Sequence, residues 1–138
     1  MTTRPLPLVR AAIAVIERGG RYLVSRRRAG DHLGGLWEFP GGKRRAGESW
    51  RACLLRELRE ELGIEAACAG RLAPIRFSYA DRRVRLEVFR CRIVRGRPRA
   101  LRAQAIRWVT PARLARLRFP AANQPLIRRL ATTRARHA

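Results

Sequence analysis

The chain is poor in lysine, in acids and in long apolar runs, and each shortage excludes something. Of 32 basic residues in 138, Lys43 is the only lysine, which leaves 31 arginines spread over the whole length beside many alanines. A tail built to bind nucleic acid is more often a local block mixing Lys and Arg. The formal charge of +22 therefore reads first as a compositional bias whose by-product is attraction of polyanions. A nucleic-acid partner is expected only through non-specific charge, with a log–log salt slope of about −0.9 per phosphate contacted. No run approaches the roughly 18 apolar residues that a membrane span needs. The opening MTTRPLPLVRAAIAVIERGG also lacks the basic, apolar, small-residue order of a secretory signal. The expected location is the cytoplasm, with no membrane partner. Cys53, Cys68 and Cys91 are odd in number and show no C-x-x-C spacing, so neither a disulfide framework nor a zinc site is expected. Three reduced, buried thiols are expected.

What is present is an apolar content of 46%, enough for one globular domain over residues 1–138 with a real core. The ending RRLATTRARHA is a candidate basic tail from about residue 131. AAIAVIE (11–17) reads as a buried strand, and Gly19-Gly20 as a turn into a second strand, RYLVSRRR (21–28). AGDHLGGLW is a glycine-rich loop. From Ser49 to Leu62 the leucines at 54, 58 and 62 repeat at helical spacing with Leu55 alongside; Ser49 or Glu48 is placed to cap the start and Gly63 to end it. Strand-like runs follow at 72–79 and 84–94, joined by ADRR as a hairpin. IRWVT is a short strand, 111–117 a short helix and 124–130 another. The order predicts a mixed α/β domain with its sheet covered by helices.

The acids are few, and they are not scattered. Four of the ten carboxylates, Glu48, Glu57, Glu60 and Glu61, fall in FPGGKRRAGESWRACLLRELREELGI (39–64). Glu57, Glu60 and Glu61 stand at i, i+3 and i+4, neighbours on one helix face beside the leucine stripe. Like charges at that spacing repel unless something positive compensates. Two compensations fit: arginines such as Arg56 opposite Glu60, or a hard divalent cation, magnesium or manganese, that prefers carboxylate oxygens.

The spacing of the segment is Gly42, five residues, Glu48, seven residues, then Arg56-Glu57-Leu58-Arg59-Glu60-Glu61-Leu62-Gly63-Ile64. It resembles at every defined position the signature of the Nudix hydrolases, G-x5-E-x7-R-E-U-x-E-E-x-G-U with U aliphatic. The resemblance implies the Nudix fold, a mixed β-sheet sandwiched between helices (α/β/α). It implies that a carbonyl of Gly41 or Gly42, with Glu57, Glu60 and Glu61, coordinates Mg2+, Mn2+ being an alternative. It further implies that Arg56 holds the carboxylates through Glu48 or Glu57. One glutamate, Glu57 before Glu60, helps deprotonate or orient the attacking water. The implied reaction is hydrolysis of a nucleoside diphosphate linked to another group.

Outside that box, GLWEFPGGK, YADR (79–82) and FPAANQPLI resemble the MutT branch, from about Ala11 to Leu130. That branch implies conversion of 8-oxo-dGTP to 8-oxo-dGMP and pyrophosphate, the sanitation of nucleotide pools that protects DNA replication. By that likeness Asn123 reads the oxidised purine, since an amide offers a donor and an acceptor to a lactam edge. Capping of the last helix is its other available role. Phe39 and Tyr79 either flank the base or pack in the core. Strand alternation turns only one of Arg26 and Arg27 into the site; Arg27 is the choice, and it joins Lys43 and Arg82 in binding substrate. One departure stands out: Arg102 falls where MutT enzymes carry a further metal-binding glutamate, and no acid follows Glu87. Gln104 offers only a neutral oxygen. Two alternatives remain, a pyrophosphohydrolase of CTP or oxidised pyrimidine nucleotides and a non-catalytic lesion-binding module. The chain is expected to be a monomer or a homodimer.

Overall fold

The computed structural model describes residues 4–30 and 33–133. Its elements are β1 (Leu8–Arg18), β2 (Arg21–Arg26), β3 (Trp37–Glu38), β4 (Gly41–Lys43), α1 (Trp50–Leu62), β5 (Glu65–Ser78), β6 (Arg83–Arg95), β7 (Ala105–Val109), α2 (Pro111–Leu114) and α3 (Gln124–Thr133). A 3-10 turn at Ala121–Asn123 leads into α3.

β1 organises the rest because both of its faces are apolar. Ala11, Ile13 and Val15 join a cluster with Leu114 of α2 and Leu126, Ile127 and Leu130 of α3. The alternating residues Ala12, Ala14 and Ile16 join Leu54, Leu58 and Leu62 of α1 on the other face. A strand with period-2 alternation and apolar residues at both phases must be covered on both sides. The expected α/β/α sandwich is what results. The sheet is mixed: β1 runs parallel to β6 and antiparallel to β2 and β4.

The feature that places the site is a change of neighbour along one edge of β1. Near its end β1 pairs with β2 at Glu17 and Arg18, while at Ala11–Ile13 it pairs with β4. Between them the chain passes from β3, which belongs to β2, to β4, and the Ala14 amide donates to the Pro40 carbonyl at 2.8 Å to hold the crossing. Glu38 through Gly42 therefore line a gap in the sheet directly beside α1.

α1 begins where Ser49 Oγ accepts from the Ala52 amide at 3.1 Å and stops at Gly63, which takes φ +68° and donates to Arg59 O at 3.0 Å. Within its stripe Cys53, not Leu55, is the fourth fully buried residue; Leu55 is half-buried.

Several boundaries differ from expectation. β1 is longer at both ends and β2 stops at Arg26, because the 27–28 pair leaves the ladder for the loop. β5 begins at Glu65, seven residues early. It is an edge strand, so its Ala- and Gly-rich first half carries no apolar alternation, and three register shifts absorb the mismatch with β6. α2 closes at Leu114. α3 continues through Thr133, so the first residues of the expected tail are helical, and 134–138 lie outside the described residues. Cys53 and Cys91 are buried as expected, but Cys68 is only half-buried; all three thiols are free. Among the described residues, no helix is long and apolar enough to cross a membrane.

Candidate active site

The gap between β3 and β4 opens into a cleft of about 550 Å³. Its walls bring together Arg27, Glu38, Phe39, Gly41, Gly42, Lys43, Glu57, Glu61, Tyr79, Arg82 and Asn123. Of the residues predicted from sequence, only Arg56 and Glu60 lie outside it.

Arg56 sits behind the acids and uses its whole fork. Nε and Nη2 donate to the two oxygens of Glu48 at 2.7 and 2.8 Å, Nη1 donates to Glu57 Oε1 at 2.7 Å and to Glu60 Oε2 at 3.3 Å, and Nη2 also reaches the Lys43 carbonyl at 3.2 Å. Glu48 and Glu57 are thus both its partners, where the sequence left a choice. A planar guanidinium suits that bidentate geometry where a lysine does not. The Arg56 hydrogen bonds, helped by the Arg45 amide, hold the Glu48 carboxyl down to about 2. Glu48 in turn raises the Arg56 guanidinium further above its already high value.

Glu57 and Glu61 face the cleft beside two glycines, Gly41 hemmed in by backbone and Gly42 by the Glu57 side chain itself. A Cβ on Gly42 would strike the Glu57 carboxylate, and one on Gly41 would strike the Ala12 carbonyl. The Gly41 amide donates to Glu61 Oε2 at 3.4 Å. Burial, and after it the nearby Glu38 and Glu57 carboxylates, push the Glu61 carboxyl up to about 8. That excess of negative charge in a small, partly dry space is what a divalent cation relieves. The donor set fits such an ion: hard carboxylate oxygens at the edge of a glycine backbone that approaches without side chains. Glu60 does not share this space. Its oxygens meet Arg45, Arg56 and Arg102 at 3.5, 3.3 and 3.2 Å.

Aromatic side chains also meet the cleft. Phe39 is almost wholly buried, its ring 5.2 Å from that of Phe119, so it serves the core as much as the cleft. The Tyr79 ring packs tilted against Phe77 with centroids 4.7 Å apart, and its hydroxyl accepts from the Ala122 amide at 3.0 Å. That bond pins the 3-10 turn carrying Asn123. The Asn123 side chain is 7% exposed, faces the cleft and makes no hydrogen bond within the described residues, to the first turn of α3 or elsewhere. Of the two arginines weighed on β2, Arg27 lines the cleft and bonds Glu38 Oε2 at 3.0 Å, whereas Arg26 bonds the Gly35 carbonyl and lies over Trp37.

Glu38 and Asp81 also line the cleft and were missed. Glu38 was within reach of sequence reasoning: it precedes Phe39, and strand alternation turns it away from the core that Phe39 enters.

A family model described as a NUDIX domain matches residues 11–129. The chain is 35% identical over 130 residues to the CTP pyrophosphohydrolase of Escherichia coli, covering 94% of this chain and 96% of that one. It is 40% identical over 119 residues to the putative 8-oxo-dGTP diphosphatase 2 of Mycobacterium tuberculosis, covering 86% and 84%. Among solved structures, the E. coli ORF135 protein superposes with a TM-score of 0.79 at 34% identity, over 94% of this chain and 93% of that one. The chain belongs to the Nudix family and to its MutT-like hydrolases. It is an enzyme of the nucleoside triphosphate pyrophosphohydrolase type, and its family generally uses divalent metal ions.

Proposed function

We propose that the enzyme hydrolyses 8-oxo-dGTP to 8-oxo-dGMP and pyrophosphate with Mg2+ held by Glu57, Glu61 and a carbonyl of Gly41 or Gly42. The observation that carries the choice of base is Asn123: its side-chain amide lines the cleft and makes no hydrogen bond to any described residue, which leaves its donor and acceptor available to a ligand. It lines the same cleft as Phe39, Tyr79, Glu57 and Glu61, and an amide pairs with the lactam edge of an oxidised purine through both its groups. Tyr79 and Phe39 supply the apolar faces for the ring, and Lys43, Arg82 and Arg27 supply positive charge for the triphosphate.

The ion, when bound, would neutralise phosphate oxygens and favour attack by water. Glu57 receives the proton as the water oxygen joins phosphorus and the α–β anhydride breaks, releasing the nucleoside monophosphate and pyrophosphate. Arg56 keeps that carboxylate aimed, and Glu48 keeps Arg56 aimed.

A second reading, CTP or oxidised-pyrimidine hydrolysis, draws support from the near-complete span of the likeness to the E. coli CTP enzyme. Kinetics across 8-oxo-dGTP, dGTP and CTP with Mg2+ separate the two. The highest kcat/KM belongs to 8-oxo-dGTP if the first reading holds; a preference for CTP replaces it with the second.

A further inference from the structure

Glu60 is the acid of the helical trio that the cleft does not reach, and it is over-supplied with positive charge. Three guanidinium groups from three segments meet one carboxylate: Arg56 of α1, Arg45 from the loop after β4, and Arg102 from the segment before β7. Arg56 is divided among several acceptors, so it does not need Glu60 for its own pairing. Arg45 and Arg102 have side chains 64% and 61% exposed, yet neither is a loose surface arginine. The Arg45 amide is tied to Glu48 Oε1 at 2.8 Å. Ahead of Arg102, the Arg99 and Leu101 amides donate to the Leu62 and Glu61 carbonyls, both at 3.0 Å. These bonds use the open carbonyls of the last turn of α1. They also deliver Arg102 to the outer side of the acidic face as part of the fold.

Resting on the active-site reading above, we propose that Arg102, assisted by Arg45, is a resident cation for Glu60. It stands where a divalent ion would otherwise be held, so Glu60 takes none and the ion requirement falls on Glu57 and Glu61. A guanidinium is permanently charged and presents a fixed fork to a carboxylate. It supplies positive charge at this face at any metal concentration, and Arg102 acts as a positioning residue for Glu60.

The test counts Mn2+ bound per chain, without nucleotide, from the electron paramagnetic resonance signal of the free ion. Wild type, E57Q, E60Q, R102E and the double variant R102E/E60Q are compared, with thermal unfolding to verify each fold and R102D as a second acidic probe. The expected result is that E60Q keeps the wild-type count, E57Q loses an ion, R102E gains one, and the double variant returns to the wild-type count. Loss of an ion in E60Q, or no gain in either acidic variant, overturns the proposal. A wild-type protein that binds no Mn2+, or an E57Q variant that loses none, overturns instead the site reading on which it rests, and the inference with it.

Discussion

At the scale of single residues, the site is a division of one helix face into an inner pair of acids and an outer one. Glu57 and Glu61 are turned to the glycines, and Glu60 is turned to the arginines. Glu57→Gln keeps size and packing but removes the charge and the proton acceptor. It should lower kcat by about 10²–10⁴-fold, the range of a general base, with far-UV circular dichroism unchanged. Asn123→Ala removes an amide that no described residue satisfies. It should leave thermal stability intact and reduce the preference for 8-oxo-dGTP over dGTP by about tenfold or more, a paired base contact being worth about 1–3 kcal/mol. The shared face was visible in the sequence, but this division of it was not. The spacing of Glu57, Glu60 and Glu61 fixed their shared face, but the spacing alone left open which acid met which cation. That depended on Arg45 and Arg102, 12 residues before and 45 after Glu57 in the chain and joined to it only by the fold.

At the scale of elements, the site depends on β4 lying close against α1, and glycine makes that approach. Gly42→Ala pushes a methyl group into the Glu57 carboxylate. The fold should survive and metal-dependent turnover should collapse, a pairing measured by comparing thermal unfolding with kcat. The loop from β4 to α1 is held by Glu48, whose carboxyl Arg56 depresses from an ordinary 4.5 to about 2. A depressed acid stabilises the folded state above its ordinary value and loses that contribution as pH falls toward the folded one. The melting temperature of wild type should therefore exceed that of Glu48→Gln at neutral pH, and the gap should close between about pH 4.5 and 2. Within α1, Leu58→Ala removes a side chain with no solvent exposure and should cost about 2–5 kcal/mol of stability. The helix itself was legible from its leucines, its serine cap and its closing glycine, all local signals. The first half of β5 was not. Glu65 to Arg71 is an edge strand of small and charged residues, and its pairing with β6 is set by tertiary contact, not by periodicity. β3 and β4 are too short to show any period at all.

At the scale of the whole molecule, the arginine excess acts as a field. A formal charge of +22 draws a triphosphate toward any part of the surface, and four of the ten acids gather in residues 39–64, two of them, Glu57 and Glu61, lining the cleft. Raising ionic strength shortens the reach of that field to a few ångströms. KM should rise on the order of tenfold between low and high salt while kcat stays nearly constant, as steady-state rates across a sodium chloride series would reveal. The α/β/α layering follows directly from β1, whose apolar residues at both phases require cover on both faces.

The most direct test of the account is pyrophosphate release from 8-oxo-dGTP at saturating Mg2+ by wild type and by Glu57→Gln under identical conditions. Wild type should release pyrophosphate rapidly and only with metal, and the variant should lose that release almost completely. Release that is equal in the two proteins, or absent from wild type with every nucleoside triphosphate offered, would contradict it.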